Sequence, residues 1–479
     1  MTRSTAHRKG IPSKRTLTTG LLALGVFVAS AGTVAYASEG SSTGTAATTT
    51  GTVANAASIT NALNTPAAGN AKANTGEALT QLRQEVANGT LLSTHGVHAV
   101  CTACDAEVVT ISKTSTKPLS STLPAGYGPA ALRAAYDLPT TSQSTATVAV
   151  IDSGVDGDLA GDLATYRKTY GLPACTVANG CLHLENYTGG AQPAPQKSAQ
   201  GAYDEEQVAV ETSLDMDMVS AACGSCHLVE ISVPWQDAFD NNDVSTGDFA
   251  TAVNTAVAAH ASVVSISYGY TTDVTNTSGS DLAALNHKGV AITVSTGDSG
   301  FNGGIHQDWP ANLPSVIAVG GVTMPTTGKS TAWYAGGSGC ETDFASADGQ
   351  PAAVTALCGG HRAASDVAAD ADPSTGLSVY DSYAPSSHQP ADWTIVGGTS
   401  ASAPYIGGLF ARAGNLAAVD GPNTLYSAPA SDFTDITSGN NEAVLDCSSY
   451  PGVSTKLCNA GPGWDGPTGL GIPHGLGAF

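Results

Sequence analysis

Two acidic residues stand one helical turn apart in the apolar stretch VETSLDMDMVS, residues 210–220, of a chain in which only 12% of residues are charged. In a helix, Glu211 and Asp215 at i and i+4 project from one face. Two neighbouring carboxylates repel each other, which is unfavourable unless one is protonated or both serve a site. Because the unperturbed pKa of such groups is about 4, the pair can divide into a charged base and a neutral acid only in an acidic window.

A candidate nucleophile lies in GGTSASAP, residues 397–404. Ser400 follows two glycines and a threonine and precedes small residues that lead into the helical stretch YIGGLFARAG. Small neighbours let a substrate backbone approach closely, and a helix N-terminus favours negative charge that develops beside the hydroxyl. A serine nucleophile also requires a base within hydrogen-bonding reach and a donor for the oxyanion. The alternative is a serine that only caps a helix.

Apolar strands and helices alternate around these residues. The runs TATVAVIDSG, LVEISV, ASVVSISYG, GVAITVSTGDSG and SVIAVGGV predict strands, and FATAVNTAVAAHA and SDLAALNHKG predict helices between them. Near-continuous apolar strands that alternate with helices indicate an α/β fold with a parallel sheet covered on both faces. Active sites of such sheets lie where strands end and loops begin.

The seven residues GTSASAP resemble the serine motif of the subtilisin-like clan of peptidases. Asp152 in VAVIDSGVD resembles the subtilisin aspartate, whereas HGVH at His95–His98 resembles the histidine motif only superficially, since it precedes Asp152 in the chain. Where a subtilisin places its histidine helix, this chain has Glu211 and Asp215 instead. The chain is therefore similar to the sedolisins, serine-carboxyl peptidases that share the subtilisin fold and use Glu in place of His.

The resemblance implies a role for each candidate. Ser400 attacks the peptide carbonyl, Glu211 takes its proton and returns it to the leaving amine, and Asp215 holds Glu211. Asp298, in the loop STGDSG, matches the subtilisin oxyanion asparagine. A carboxyl group can donate to an oxyanion only when protonated, so this role ties activity to acidic pH. The alternative for Asp298 is a loop carboxylate that makes local turn bonds.

The resemblance covers residues 124–479 and implies a subtilisin-like, mostly parallel sheet with helices on both faces. Ser267, Tyr268 and Gly269 in SISYG match the strand edge that pairs with extended substrate, a mode that recognises backbone more than side chains. Protein or peptide substrates are therefore expected. We expect endopeptidase rather than tripeptidyl exopeptidase action, although a loop that closes the far end of the cleft would reverse this.

Two C-terminal motifs resemble the sedolisin calcium site. FTDITSGNN and AGPGWDGPTGLG imply that Asp435 and Asp465 supply carboxylates and that Ile436, Gly461 and Gly463 supply backbone carbonyls. A set of oxygen ligands from glycine-rich loops suits Ca²⁺ rather than zinc. Glycine and aspartate in ordinary turns are the alternative.

The N-terminal region divides into three segments before the catalytic domain at 124–479. Residues 1–37, with a basic start, an apolar run and Ala35-Tyr36-Ala37, predict a signal peptide, with a membrane anchor as the alternative. Residues 38–73 are poor in large apolar groups and predict a low-complexity linker. Residues 74–123, with one predicted helix at 76–92, are interpreted as a reduced propeptide-like segment that is removed or stays attached.

The ten cysteines form five local couples, which in an exported chain predict disulfides. The couples are Cys101 with Cys104, Cys175 with Cys181, Cys223 with Cys226, Cys340 with Cys358, and Cys447 with Cys458. One couple lies in CGSCH, residues 223–227, which literally matches the c-type haem attachment pattern. A tight turn with a disulfide fits this position between a helix and a strand better.

The acidity of the chain restricts its partners. The formal net charge is −22, and loss of the five basic residues of segment 1–37 leaves 13 basic residues against 40 acidic ones. Such a surface repels nucleic acid and anionic membranes at neutral pH. Together with the predicted signal peptide and the family resemblance, this charge leads us to expect a secreted, extracellular, monomeric peptidase without stable membrane association. A catalytically inactive relative that binds peptides or cell-surface polymers is the alternative.

Overall fold

The predicted apolar runs form the strands of one large sheet. The computed structural model describes residues 97–99, 107–109, 123–141, 144–234, 246–269, 279–301, 309–325, 327–386, 392–443, 447 and 453–479, all within one unit, 56–479. The strands are β1 (Val97–Ala99), β2 (Glu107–Val109), β3 (Thr147–Ser153), β4 (Leu182–Asn186), β5 (His227–Val233), β6 (Val263–Ile266), β7 (Ala291–Ser295), β8 (Ile317–Thr323), β9 (Thr331–Ala332), β10 (Gly339–Ala345), β11 (His361–Ala364), β12 (Val367–Asp370), β13 (Leu377–Asp381), β14 (Asp392–Gly397), β15 (Phe433–Thr434) and β16 (Ile472–Pro473).

Helices follow seven of these sixteen strands in the described residues. They are α1 (Pro129–Ala135), α2 (Leu159–Thr169), α3 (Ala199–Ala222), α4 (Thr246–Ala258), α5 (Gly279–Ala284), α6 (Ala352–Thr355), α7 (Thr399–Ala413) and α8 (Asn423–Tyr426). The predicted signal peptide, linker and helix at 76–92 lie outside the described residues.

The main sheet is parallel, as the sequence predicts. Its strand order is β12-β8-β7-β6-β3-β5-β4, every neighbouring pair along this path is parallel, and β9 adds an antiparallel strand to β8. Strands β6, β7 and β12 are buried along their whole length. This explains why they are almost continuously apolar rather than alternating, because both faces of the sheet are covered.

A second sheet is antiparallel and has the order β1-β2-β14-β13. Strand β14 pairs with β13 over five positions and with β2 over three. The two strands from the N-terminal region therefore extend a sheet whose other two strands belong to the C-terminal half of the chain. The sequence does not predict this pairing.

Helices α3 and α7 form the centre of the helical layer nearest the candidate residues. They contact each other, and α7 also contacts β6, β7, β8 and β12. A Cβ atom at Gly407 would lie 2.9 Å from Thr293 Oγ1 of β7, and one at Gly408 would lie 2.5 Å from Ala222 Cβ of α3. The two glycines therefore let α7 pack closely against the sheet on one side and against α3 on the other.

Candidate active site

Ser400 lies at a sharp turn from strand to helix. Strand β14 ends at Gly397, Gly398 adopts φ 108°, and α7 begins at Thr399, so Ser400 is the second residue of the helix. A φ of this value is strained for any residue with a Cβ atom, which explains the glycine. The turn places the Ser400 hydroxyl in the first turn of α7, where backbone N–H groups lack helical partners.

Ser400 contacts the end of β6 directly. Its Oγ donates to the carbonyl oxygen of Ser267 at 3.3 Å, and the Ser267 hydroxyl donates to the carbonyl oxygen of Ser400 at the same distance. Ser267 and Tyr268 follow the last residue of β6 and are buried. The Tyr268 hydroxyl oxygen accepts a hydrogen bond from the Ser153 backbone N–H at 2.9 Å, which fixes it against the end of β3. Gly269 is half-buried.

Asp298 is bonded to the residue next to Ser400. The loop after β7 carries Asp298, and its Oδ1 accepts from the Thr399 N–H at 2.8 Å and from the Thr399 hydroxyl at 2.9 Å. The Gly297 N–H in turn donates to Thr399 Oγ1 at 3.1 Å. The carboxyl group therefore caps the N-terminus of α7, where the helix dipole favours an acceptor.

Glu211 and Asp215 lie in the middle of α3, the helix that packs against α7. Both residues are fully buried. The prediction of a helix here is confirmed, and it places the two carboxyl groups in the protein interior rather than on a solvated face. Two buried carboxyl groups one turn apart are costly to ionise together, which suits a site where protons move.

A larger group of buried acids surrounds α3, and the sequence singled out only Asp152 among them. It comprises Asp152, Asp156, Asp162, Glu205, Glu206, Asp217, Glu230 and Asp381, each at most 4% exposed. The signal was present in the sequence, because an acid interrupts each of the apolar runs VAVIDSG, LVEISV and LSVYDSY. Charged residues are almost never fully buried unless they are paired or serve a site.

Three of these acids have oxygen atoms within 4.8 Å of one another, namely Asp156, Asp162 and Asp381. They come from the loop after β3, from α2 and from the end of β13. Asp156 accepts from the Ser213 hydroxyl of α3 at 3.2 Å, and Asp162 accepts from the N–H and hydroxyl of Ser382 at 2.7 Å each. The cluster therefore ties α2, α3 and β13 together through carboxyl groups.

Burial raises the pKa values of these groups. The pKa of Asp152 is raised to about 8 by burial and by the nearby Asp156, and that of Asp156 is raised to about 7 mainly by burial. Burial, followed by the charges of Asp152 and Asp156, also raises the pKa of Glu230 well above its usual value. These carboxyl groups therefore remain protonated at acidic pH.

A cavity of about 340 Å³ opens at the carboxyl ends of β3 and β5. This edge of a parallel sheet is where ligands bind in open α/β folds. Its lining residues are Gly154, Val155, Asn186, Tyr187, Pro193, Ala194, Gln196, Glu205, Ser232, Val233 and Pro234. Because Glu205 is held by the N–H of Gln196 at 2.7 Å and by the Tyr383 hydroxyl at 3.1 Å, one wall of the cavity is an anchored carboxyl group.

The residues predicted to bind calcium form a separate group near the C-terminus. Asp465 accepts from the Gly461 N–H at 2.9 Å, and Asp435 accepts from the Gly463 N–H at 3.0 Å. Asp465 is buried, Asp435 is exposed, and Ile436 is buried after the short strand β15. Burial raises the pKa of Asp465 to about 7, and the charge of Asp435 contributes to the shift. The two carboxyl groups are therefore close enough to interact, and their hard oxygen donors fit Ca²⁺.

Four of the five predicted disulfides are present. They join Cys175 to Cys181, Cys223 to Cys226, Cys340 to Cys358 and Cys447 to Cys458, whereas Cys101 and Cys104 lie outside the described residues. The disulfide between Cys223 and Cys226 excludes the haem alternative for CGSCH, because neither sulfur is available for a thioether. In the part of the chain that the structure describes, no helix is both long and apolar enough to cross a membrane.

Comparison with known proteins agrees with this geometry. The sequence profile of the subtilase family matches residues 143–427. Kumamolisin of Bacillus sp. (strain MN-32) is 29% identical over 391 residues, which are 74% of this chain and 63% of kumamolisin. Tripeptidyl-peptidase 1 of Bos taurus is 30% identical over 217 residues, which are 39% of this chain and 36% of that protein. The chain thus spans less than two thirds of the length of these relatives.

The fold also matches a solved structure. Pseudomonas sedolisin, described as a serine-carboxyl proteinase complexed with two molecules of pseudo-iodotyrostatin, aligns with a TM-score of 0.56 and 25% sequence identity. The alignment covers 73% of this chain and 95% of that one. The predicted subtilisin-like arrangement, a mostly parallel sheet with helices in one large domain, is therefore confirmed.

Proposed function

The chain belongs to the subtilase family and, within it, to the sedolisins, and from this premise we propose that it is a secreted serine-carboxyl peptidase that hydrolyses peptide bonds at acidic pH. The observation that carries the proposal is the joint placement of Ser400 and Asp298 at the N-terminus of α7. Asp298 bonds Thr399, and Ser400 is the next residue. A hydroxyl, a carboxyl group and a helix N-terminus thus converge on one point.

The mechanism assigns one task to each side chain. The Ser400 oxygen attacks the carbonyl carbon of the scissile bond while Glu211 takes the hydroxyl proton, and Asp215 keeps Glu211 oriented. The protonated Asp298 and the Ser400 backbone N–H donate to the oxyanion of the tetrahedral intermediate. Glu211 then protonates the leaving amine, and water hydrolyses the acyl-enzyme with the same residue as base.

Substrate binding follows from the strand edge after β6. Ser267 lies in contact with Ser400, so a peptide that pairs with Ser267, Tyr268 and Gly269 as an added strand passes the nucleophile in extended form. The cavity at the ends of β3 and β5 lies one to two strands away from β6 in the sheet order, roughly 5–10 Å at about 4.8 Å per strand. That distance corresponds to about two to three residues of extended peptide.

We also assign a Ca²⁺ site to Asp435, Ile436, Gly461, Gly463 and Asp465. The hydrogen bond from Gly463 to Asp435 joins the two loops, the one from Gly461 to Asp465 lies within the second loop, and a bound cation would neutralise the two carboxylates. The ion would stabilise the C-terminal loops and would take no part in the chemistry. Export after removal of residues 1–37 and a monomeric state complete the proposal.

The test compares two buried serines of the same helix. We expect the purified mature protein to cleave a denatured protein substrate at acidic pH, and Ser400→Ala to abolish this activity. Ser402→Ala is the matched control, because Ser402 lies one residue beyond Ala401 and its hydroxyl only donates to the Asp370 carbonyl at 3.1 Å. An optimum near neutral pH would contradict the role of protonated Asp298, and full activity in Ser400→Ala would reject the nucleophile.

Product analysis in the same digests resolves the type of peptidase. Internal fragments of varied length would indicate an endopeptidase, which is the activity we propose. A ladder of tripeptides would instead indicate a tripeptidyl exopeptidase, the activity named for one of the relatives.

A further inference from the structure

The N-terminal strands β1 and β2 extend the sheet that contains β14, the strand that leads to Ser400. Strand β2 pairs antiparallel with β14, with Val109 opposite Ile395, Val108 opposite Val396 and Glu107 opposite Gly397. Gly397 is only three residues before Ser400 in the chain. The pairing therefore ends at the base of the turn that carries the nucleophile.

We propose that strands β1 and β2 are a permanent part of the peptidase, and that β2 holds β14 and thereby positions Ser400. This inference rests on the proposed function and replaces a removable, inhibitory role for this part of segment 74–123. The strand that pairs with the second edge of β14, β2, belongs to the same chain.

The first argument is that β14 has two neighbours only when β2 is present. Strand β13 covers one edge of β14, and β2 covers the other. Without β2 the second edge would present unpaired N–H and C=O groups, which is unfavourable and promotes pairing with other chains. Strand β1 then covers the outer edge of β2 over three positions.

The second argument is that the end of β14 tolerates little movement. A Cβ atom at Gly397 would lie 2.4 Å from the Pro373 backbone nitrogen and 2.5 Å from the Ala371 carbonyl oxygen. The Gly398 N–H donates to the same Ala371 oxygen at 2.6 Å. The short 3₁₀ helix at Pro373–Thr375 contacts both β14 and β2. Backbone contacts from residues 371–375 and the pairing with β2 therefore both restrict movement of the turn.

The third argument concerns what the segment does not cover. Strand β2 pairs with β14 and β1 pairs with β2, whereas the substrate edge proposed above follows β6 in the other sheet. An inhibitor that acts like a substrate would pair with that edge. The observed pairing instead supports a positioning role, and a displacement of about 1 Å at a nucleophile can cost about 100-fold in rate.

The test uses Val108→Pro, because proline cannot donate to a ladder, with Val108→Thr as the conservative control that keeps the N–H and the β-branched shape. Hydrogen exchange is measured in the Ser400→Ala background, so that it does not depend on activity. We expect Val108→Pro to expose the amides of residues 395–397, and in the active chain to lower kcat about 10-fold to 100-fold with KM within about threefold. In Val108→Thr, amide exchange at residues 395–397 and kcat should both stay close to those of the wild-type protein.

Two outcomes would overturn the inference directly. Unchanged exchange at residues 395–397 would disprove the pairing, and increased activity in Val108→Pro would show an inhibitory segment. If Val108→Pro does not fold, the mass of the active wild-type protein decides, because a fully active form without residues 97–109 contradicts a permanent role. A wild-type chain that cleaves nothing rejects the proposed function, while the exchange data still decide the pairing.

Discussion

At the scale of single residues, the proposed role of Asp298 connects the pH of the solution to the donor for the oxyanion. The Asp298 Oδ1 atom accepts two hydrogen bonds from Thr399. An acceptor in this place is compatible with either protonation state, because a carboxylic acid keeps one carbonyl oxygen. Protonation therefore adds a donor on the second oxygen without loss of the cap.

Replacement of Asp298 by asparagine separates these two properties. The amide oxygen of Asn can accept from Thr399, and its NH₂ group donates at every pH. We expect Asp298→Asn to remain active and to move the alkaline limb of the kcat/KM profile to higher pH. Asp298→Ala, which removes both cap and donor, should lose about 100-fold to 1000-fold at all pH values. An unshifted alkaline limb in Asp298→Asn would show that another group controls it.

At the scale of elements, the turn between β14 and α7 depends on close backbone contacts rather than on a side chain. Gly397 lies against Ala371 and Pro373 so closely that no Cβ atom fits without movement. The strand and helix on either side are buried, so the strain of a larger residue would pass directly to Ser400.

Gly397→Ala should therefore both destabilise and impair the protein. We expect a loss of about 1–3 kcal/mol in the free energy of unfolding, measured by urea denaturation, together with a fall in kcat. Gly161→Ala is the matched control. Gly161 lies in α2, where an added Cβ meets nothing within 4 Å, so alanine should stabilise by about 0.5–1 kcal/mol. A Gly397→Ala protein as active as wild type would contradict the proposed rigidity of the turn.

The C-terminal loops give a second prediction at this scale. If Ca²⁺ binds at Asp435 and Asp465, a chelator should lower the midpoint of thermal unfolding, because an ion at 100 times its dissociation constant contributes about 2.7 kcal/mol. Asp435→Asn should lower the midpoint and abolish the effect of the chelator. Asp348→Asn, at another exposed position, should leave the effect unchanged. A chelator without effect on the wild-type midpoint would reject the ion.

At the scale of the whole molecule, the buried acids make stability depend on pH. The pKa of Asp156 is about 7 and that of Asp152 about 8 in the folded state, against usual values near 3.8. A group with a raised pKa in the folded state contributes stability below its unfolded pKa, and this stability is lost as pH rises through the folded pKa. The folded protein should thus be most stable in acid and weaken between about pH 4 and 8.

The surroundings of Asp156 contain few positive charges that could offset this loss of stability. The charged groups that influence the buried acids are Asp152, Asp156, Asp158, Asp162, Asp381, Glu206 and Arg167, the last acting on Asp217. The only cation in this set, Arg167, is held by the carbonyls of Pro173 and Gly224 and by the Ser220 hydroxyl. Negative charge therefore accumulates as pH rises.

The prediction is measured by urea unfolding of Ser400→Ala at pH 4 and pH 8. A shift of about three pKa units at Asp156 corresponds to roughly 4 kcal/mol, so the unfolding midpoint should fall clearly between these values. Asp156→Asn should reduce the fall. Asp348→Asn, at an exposed position that is not among these charged groups, should not reduce it. Equal stability at both pH values would contradict the raised pKa values of the buried acids.

Much of the fold could be predicted because its signals are local. The five strands named from their apolar runs and both named helices are present, since a doubly covered parallel strand must be apolar along its length. The helical spacing of Glu211 and Asp215 and the cysteine couples from Cys175 onward are likewise short-range patterns. The resemblance of GTSASAP, STGDSG, SISYG and the two C-terminal motifs to those of a known family supplied the rest of the candidate site.

Only the tertiary structure decided which distant residues meet. The bonds from Asp298 to Thr399 and from Ser400 to Ser267 join residues 101 and 133 positions apart, and the pairing of β2 with β14 joins segments from opposite ends of the chain. The buried acids also look like ordinary charges until the sheet and α3 enclose them. The sequence by itself thus determined the local elements and the kinds of reactive group, whereas long-range packing determined their neighbours, their burial and hence their pKa values.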